Sequence, residues 1–151
     1  MSNYIPLISS SLAGPLGIMH LPRLWQKVSL EQTGQLHSEY PGIGGGFDSM
    51  VLAALKIDAD TFRAFIKDNK PSYIECEKWV AENGTLSLSE ISKLNRQMTH
   101  YHHDDDTRKE ILEGAGLDDS VAIADAPNLN NLDDWTGFHK EVILGGATSD
   151  G

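Results

Sequence analysis

The chain has 151 residues, of which 40% are hydrophobic, and it carries a net charge of -10. This length and composition predict one folded domain with a substantial core rather than a disordered segment. The 22 acidic residues outnumber the 12 basic residues, which argues against the basic face that binding to nucleic acid or to an anionic membrane requires. A single cysteine, Cys76, excludes an intramolecular disulfide bond and is consistent with a reducing, cytoplasmic location.

The first 19 residues are mildly apolar and lack the basic start that is typical of a secretory signal. Pro6, Gly14, Pro15 and Gly17 interrupt this segment, so we expect an irregular, packed N-terminal arm over residues 1–19. In the rest of the sequence, no apolar run reaches the roughly 20 residues that a membrane-spanning helix needs.

The hydrophobic pattern of residues 20–144 has the period of α-helices. The run "HLPRLWQKVSLEQTGQL" places Leu21, Leu24, Trp25 and Val28 on one face. Similar stripes recur in "FDSMVLAALKI", "DADTFRAFIKDN", "PSYIECEKWVAENG" and "SLSEISKLNRQM". We therefore predict an all-α fold, a compact single domain of about six or seven short helices preceded by the irregular arm.

The C-terminal part predicts one more strong helix before a flexible tail at residues 145–151. Asn131 is a suitable N-cap for this helix, and Asp133 and Asp134 would then lie in its first turn, where the helix dipole favours anions. The expected apolar stripe of the helix consists of Leu132, Trp135, Phe138, His139 and Val142. The preceding run "DSVAIADA" is an alternative short strand, but no partner strand is evident.

Several motifs resemble a bacterial family catalogued as domain of unknown function five-zero-six-nine. The motifs are "LPRLWQK", "GQLHSEYPG", "FDSMVLAALKID" and "FIKDNKPSYIECEKWV", and the resemblance covers residues 15–83 well. Residues 95–143, with "YHHDDDTR" and "LNNLDDW", resemble the extension of a longer branch of that family. The resemblance implies a small helical bacterial protein and implies no activity. The matching positions are Leu21, Pro22, Arg23, Lys27, Gly34, Leu36, Tyr40, Phe47, Asp48 and Trp79.

The stretch "QMTHYHHDDDTRKE", residues 97–110, contains three of the six histidines, followed by three aspartates. On a helix, His100 and His103 would share one face. His102 and Asp106 would then share another. In an extended segment, His100 and His102 would share a face instead. Either geometry supplies two imidazoles with carboxylates nearby, a set that Zn, Ni, Cu, Mn or Fe accepts.

This histidine-rich stretch leaves three interpretations open. A complete metal site needs a further ligand, for which His139, His37 and His20 are the candidates. One histidine could instead transfer protons or bind a substrate, because imidazole titrates near neutral pH. The third interpretation is a solvated helix start, since aspartates are favoured in the first turn of a helix. His139 by itself is expected to be a buried core residue.

Arg23 and Lys27 are the candidates for binding the substrate. They lie one turn apart and flank Trp25, a candidate wall of a ligand pocket. In so acidic a chain, two cations on one helical face could bind a carboxylate or phosphate of a small ligand, and arginine suits bidentate recognition of anions. The alternative is that both pair with acidic residues of the protein itself.

The loop "SEYPGIGGG" contains four glycines and one proline in nine residues. It matches no nucleotide-binding glycine motif. We interpret it, together with the preceding His37, as a flexible lid or a ligand-contacting loop that carries His37 and Tyr40. We expect Asp48, directly after the loop, to cap its own helix. Cys76 is expected to be a core residue, because its neighbours Glu75 and Glu77 disfavour a reactive thiolate.

Two hypotheses about function follow from these residues. The first is a small cytoplasmic enzyme or ligand-binding protein that acts on a small anionic organic molecule, by lyase-, isomerase- or cyclase-like acid–base chemistry or by metal-assisted chemistry. It requires no cofactor and leaves a divalent metal optional. The second is a non-catalytic, acidic interaction or dimerisation module. The first requires His100, His102, His103 and His139 to converge with Arg23 and Lys27, whereas the second requires them to scatter around an exposed apolar patch.

Overall fold

The structure, a computed structural model, describes residues 3–145. These residues form seven α-helices and a final π-helical segment, His139–Leu144, and they contain no β-strand beyond isolated bridges. The all-α prediction is therefore confirmed. The helices are α1 (Leu21–Gln32), α2 (Phe47–Leu55), α3 (Ala59–Asn69), α4 (Tyr73–Asn83), α5 (Leu88–Thr99), α6 (Asp105–Gly114) and α7 (Ala126–Phe138).

Side-chain caps determine where several helices begin. The carboxylate of Asp58 accepts a hydrogen bond from the backbone N–H of Thr61 at the start of α3. Ser72 and Glu75 form a reciprocal capping box at the start of α4. At the start of α6, the Asp104 carboxylate accepts the backbone N–H of Thr107. Such caps satisfy backbone N–H groups at the helix start that otherwise have no partner.

Helix α1 lies at the centre and contacts α2, α3 and α4. Its face of Leu21, Leu24 and Val28 is fully buried, as the sequence predicts. Cys76 is also fully buried, and burial raises the pKa of its thiol to about 12, which makes it unreactive. The other largest buried side chains are Ile18, Val51, Leu55, Phe62, Ile66, Val80, Met98, Leu112 and Leu129.

The N-terminal arm is irregular between residues 3 and 19, as predicted, and it is held by specific hydrogen bonds. The backbone N–H of Tyr4 donates to Gln35, and the N–H of His37 donates back to Tyr4. Residues 146–151 of the predicted tail lie outside the described residues, and the predicted domain boundaries stay predictions.

The last helix begins earlier than the sequence predicts. Asp125, rather than Asn131, is its N-cap and accepts the backbone N–H of Asn128. Asp133 and Asp134 consequently lie about two turns into α7 and not in its first turn. Asp125 prevails because Pro127 follows it in the first turn, where proline is well tolerated. The run "DSVAIADA" forms no strand and leads into this cap.

The prediction that the apolar stripe of the last helix faces the core is wrong. Trp135 is 62% exposed, and His139 and Val142 are exposed too. Helix α7 instead buries Leu129 and Asp134. A buried partner for the Asp134 carboxylate determines this orientation, and the π-helical continuation then shifts the angular position of the residues that follow.

Within residues 3–145, none of the helices combines the length and the apolar character that crossing a bilayer demands.

Candidate functional site

A cavity of about 840 Å³ opens between the glycine-rich loop, α1, the α5–α6 connection and α7. Residues from four separate stretches of the chain line it, including Lys27 of α1, His37 of the loop, His103 of the connection and Asp133 of α7. Two buried ion pairs form its floor, and they are described first because they determine which charges remain available.

The first ion pair is centred on Asp48, which is 3% exposed. One carboxylate oxygen lies 2.5 Å from Nε2 of His20, and the other lies 2.5 Å from Nζ of Lys27. The second oxygen also accepts the backbone N–H of Gly44 at 2.7 Å. Burial alone would raise the pKa of Asp48, but the hydrogen bond from His20, the charge of Lys27 and the Gly44 N–H outweigh it and lower this pKa to about 2.

Asp48 therefore does not cap its own helix. Gly46 is the N-cap of α2, without a side-chain cap, and the Asp48 carboxylate instead folds the glycine loop back through Gly44. The reason is that the buried carboxylate needs a countercharge and a hydrogen-bond donor. Lys27 supplies the first and His20 the second, and the start of α2 supplies neither.

His20 is held neutral in this cluster. Burial is the largest effect and lowers its pKa, against the opposing influence of Asp48. Its Nδ1 contacts the hydroxyl of Ser10 at 3.0 Å, so both ring nitrogens have partners. Ser10, His20 and Asp48 thus form a chain like that of serine hydrolases, but Ser10 is 1% exposed and does not line the cavity. A substrate in the cavity has no access to the hydroxyl.

The second ion pair joins Arg23 to Asp134. The guanidinium donates two hydrogen bonds, Nη1 to Oδ2 at 2.6 Å and Nη2 to Oδ1 at 3.0 Å. Nη1 also donates to the carbonyls of Pro6 and Ile8, which ties the N-terminal arm to the site. The hydroxyl of Tyr40 donates to Asp134 at 3.2 Å. Burial, together with Asp134, raises the pKa of Tyr40, so its hydroxyl stays protonated.

Arg23 and Lys27 line the cavity, but neither is an unpaired cation. Each forms an ion pair with a buried carboxylate, the alternative that the sequence left open. Trp25, between them, points elsewhere: its Nε1 donates to the carbonyl of Pro71, and its ring lies edge-on to Tyr73. Trp25 therefore belongs to the half-buried packing of α1 and does not line the cavity.

The histidine-rich stretch is divided between the cavity and the surface. Helix α5 ends at Thr99 and α6 begins at Asp105, so the helical spacings considered above do not apply. His103 lines the cavity, and its Nε2 lies 2.9 Å from Oδ1 of Asn130. His100, at the C-cap of α5, and His102 are exposed and do not line the cavity.

The remaining candidates fall into the same two groups. His139, at the end of α7, and Asp106, in the first turn of α6, are exposed and outside the cavity lining. The expectation of a buried His139 is wrong, because α7 turns its other face inward. His37 and Tyr40 line the cavity, and their rings meet edge to face. Their role as ligand contacts stays a prediction.

Within residues 3–145, one group of three residues is spaced to hold a metal ion. It consists of His37, Glu39 and Glu141, whose ligand atoms all lie within 4.8 Å of one another. No three of the metal candidates His100, His102, His103 and Asp106 meet that spacing within the described residues.

The hydrogen bonds of His37 bear on whether this group suits a metal. Its Nδ1 accepts the backbone N–H of Glu39 at 3.2 Å, which places the proton of the neutral ring on Nε2, 3.0 Å from Glu141. A metal on Nε2 would require that proton to move to Nδ1, opposite the Glu39 N–H. The donor set therefore has the right chemistry, but His37 lacks the outward N–H donation that usually supports a histidine ligand.

Aromatic rings form the walls of the cavity. Phe47 contacts Tyr101 edge to face at 5.7 Å, and Tyr101 contacts His103 at 6.2 Å. Sequence reasoning missed Phe47, Tyr101 and Asp48 as site residues. For Asp48 a signal exists, because a carboxylate directly after Phe47 in the apolar run "FDSMVLAAL" is buried and needs a cationic partner. For Tyr101 there is none, since its role depends on where the α5–α6 connection lies.

The fold and the site define an all-α protein with a polar cavity that has two buried ion pairs at its base. A family model described as a domain of unknown function, DUF5069, matches residues 9–125. The chain belongs to this family. The match continues past residue 83 and includes the whole histidine-rich stretch. A search of curated proteins found no match to the chain.

Proposed function

We propose that this protein binds a small polar organic molecule in the cavity and acts on it by histidine acid–base chemistry. The observation that supports the proposal is a partial convergence: of the four histidines that the hypothesis required, only His103 lines the cavity. It does so together with His37, Tyr40, Arg23 and Lys27, and these five residues come from three separate stretches of sequence. A volume of about 840 Å³ suits a small molecule, since ligand pockets are commonly about 300–1,000 Å³.

His103 is the residue to which the proposal assigns proton transfer. Oδ1 of Asn130 accepts a hydrogen bond from Nε2–H of the neutral ring, which leaves the lone pair of Nδ1 as the proton acceptor. No described residue forms a hydrogen bond with that Nδ1. His20 is unsuited to this role because both of its nitrogens have buried partners. His37 is less suited than His103 for a similar reason, because its Nδ1 accepts the Glu39 N–H and its Nε2 is paired with Glu141.

A divalent metal is optional in this proposal. If one takes part, the donor types and spacing favour His37, Glu39 and Glu141 at the cavity wall over the histidine-rich stretch. These three residues would hold the metal, which would supply Lewis-acid activation of a ligand oxygen. The proposal also includes a cytoplasmic location, which the single cysteine supports, and no binding of nucleic acid, which the net charge of -10 supports. The bacterial origin that the family resemblance implied is a further part of the proposal.

The rival function is an interaction or dimerisation module, and one observation favours it. Trp135, Val142, Ile143 and Leu144 are 62%, 45%, 56% and 55% exposed near the end of the described chain. These four side chains fall within ten residues of the chain, and a contiguous exposed apolar patch is typical of an interaction surface. A homodimer that dissociates when Trp135 and Ile143 are changed to serine would support this rival, whereas a monomer at micromolar concentration would contradict its dimerisation form.

A ligand screen tests the main proposal. A library of small metabolites is added to the full chain, and binding is followed by ligand-observed NMR. We expect hits whose binding weakens at least tenfold in His103→Ala and stays unchanged in His100→Ala, because His103 lines the cavity and His100 does not. Hits that are insensitive to His103→Ala, or a library without hits, would contradict the proposal.

A further inference from the structure

We propose that the cavity selects a small organic cation, a molecule with an amino or guanidino group, and that Asp133 is the carboxylate that binds it. This inference rests on the proposed function and specifies its ligand. It reverses the sign of charge that Arg23 and Lys27 suggested in the sequence, and it follows from which charges in the cavity already have partners.

The lining contains more carboxylates than cations. The carboxylates are Glu39, Asp48, Asp133, Asp134 and Glu141, and the cations are Arg23, Lys27 and Lys140. Asp48 is paired with Lys27, and Asp134 with Arg23. Nε2 of His37 lies 3.0 Å from Glu141.

Three charged side chains of the lining then remain without a hydrogen bond or ion pair to another described residue. They are Glu39, Asp133 and Lys140. With both carboxylates ionised, the net charge of these three side chains is -1. The net charge of -10 on the whole chain adds a field that attracts cations and repels anions.

Asp133 is the carboxylate of this group whose surroundings most favour a cation. It extends from α7 beside Asp134, and burial, Asp134 and Glu39 raise its pKa. Asp133 is exposed at the cavity, so a ligand can reach its carboxylate directly from solvent. A bound ammonium group would relieve the repulsion among these carboxylates, and this relief is binding free energy that an anion cannot obtain.

The aromatic walls favour the same ligand. Phe47, Tyr101 and Tyr40 line the cavity, and the faces of such rings attract ammonium and guanidinium groups. The two ring contacts Phe47–Tyr101 and His37–Tyr40 are edge to face, an arrangement that leaves part of each ring face uncovered by its partner.

An anionic ligand would meet unfavourable interactions at both buried ion pairs. It would have to compete with Asp134 for Arg23 or with Asp48 for Lys27, and would leave a buried carboxylate without its partner. The backbone N–H of Gly44, a group that glycine-rich loops use to bind phosphate, already donates to Asp48. Lys140 is the one cation of the described lining without a partner, and it lies exposed on the π-helical segment.

Three probes with the same four-carbon skeleton test the sign of charge: 1,4-diaminobutane, 1,4-butanediol and succinate. Each is titrated into the full ¹⁵N-labelled chain at pH 7, and the backbone amides of Gly44, Gly45, Gly46 and Gly137 report on the cavity because these glycines line it. We expect the diamine to shift these amides and to bind at least about tenfold more tightly than succinate, a difference of about 1.4 kcal/mol.

The variant Asp133→Asn removes one negative charge and keeps the shape of the side chain. We expect it to weaken diamine binding about tenfold. Asp106→Asn, an exposed aspartate of α6 outside the cavity, is the matched control and should leave binding unchanged. Glu39→Gln, which removes the other unpaired carboxylate, is expected to weaken diamine binding in the same direction.

The inference is overturned if succinate or the diol binds at these amides as tightly as the diamine. It is also overturned if Asp133→Asn leaves diamine binding unchanged, or if none of the three probes shifts the amides. None of these results decides the proposed function, because a neutral or anionic hit that depends on His103 in the metabolite screen would sustain it.

Discussion

Arg23 in α1 and Asp134 in α7 are joined by two parallel hydrogen bonds, 2.6 and 3.0 Å long, although 111 residues separate them in the chain. Both side chains are almost completely buried. The pair thus connects the first helix to the last, and through the carbonyls of Pro6 and Ile8 it also holds the N-terminal arm.

The first prediction concerns this ion pair. Asp134→Ala is expected to lower the free energy of unfolding by about 3–5 kcal/mol, because it leaves the Arg23 guanidinium buried without a countercharge. Arg63→Ala is the matched control: Arg63 pairs with Glu31 while each is about one third exposed, and its loss should cost no more than about 1 kcal/mol. Urea denaturation measures both. Equal losses in the two variants would show that burial of the pair is not what matters.

The second prediction is an acid-sensitive stability that depends on Asp48. Its pKa is lowered from 3.8 to about 2 in the folded protein, so its contribution is fully present above pH 3.8 and is lost as the pH falls towards 2. The contribution is roughly 2 kcal/mol. Unfolding free energies of the native protein and Asp48→Asn between pH 7 and pH 2 should converge as the pH falls. Parallel curves would contradict the prediction.

A third prediction follows from His20, whose pKa burial lowers below 6.5. The folded state resists protonation of this ring, so the unfolded state binds the proton more readily and stability should fall as the pH drops below 6.5. His20→Asn should flatten the curve between pH 7 and pH 5, since asparagine does not titrate and tolerates the positive φ of 73° at this position. His139→Asn, at an exposed position, is the control and should retain the slope.

The fourth prediction locates any metal site. Elemental analysis of protein purified without a histidine tag or chelator is compared with that of His37→Ala and His103→Ala. If the native protein carries near-stoichiometric metal, we expect His37→Ala to lose it and His103→Ala to keep it, because His37 belongs to the three-residue group within 4.8 Å. Metal that is lost only in His103→Ala would reject this location.

The fifth prediction contrasts two tryptophans. Trp135 is 62% exposed, so Trp135→Ser should change the free energy of unfolding by less than about 0.5 kcal/mol. Trp79 stacks on Phe65 with ring centroids 4.4 Å apart and packs against the core. Trp79→Ala should therefore cost about 2 kcal/mol or more. A large loss in Trp135→Ser would indicate that the exposed face of α7 is covered in solution, as the rival interaction function requires.

The sequence could predict the helical class and the face that α1 buries. The stripe of Leu21, Leu24 and Val28 needs no knowledge of distant residues, because helical periodicity alone places them on one face. The same local pattern misled for α7, where Trp135 looked like a core residue. Asp134 determines the orientation of that helix through its contact with Arg23. Because 111 residues separate the two, the hydrophobic periodicity of the α7 sequence cannot indicate this contact.

The candidate site shows the same division. Local sequence indicated that His37, Tyr40, Arg23, Lys27 and His103 are chemically capable residues, and the structure places all five around one cavity. Only the tertiary structure decided that Arg23 and Lys27 already have carboxylate partners, because pairing depends on where Asp48 and Asp134 lie in space. Residue type and spacing determine which charges a chain carries; packing determines which of them remain free to meet a ligand.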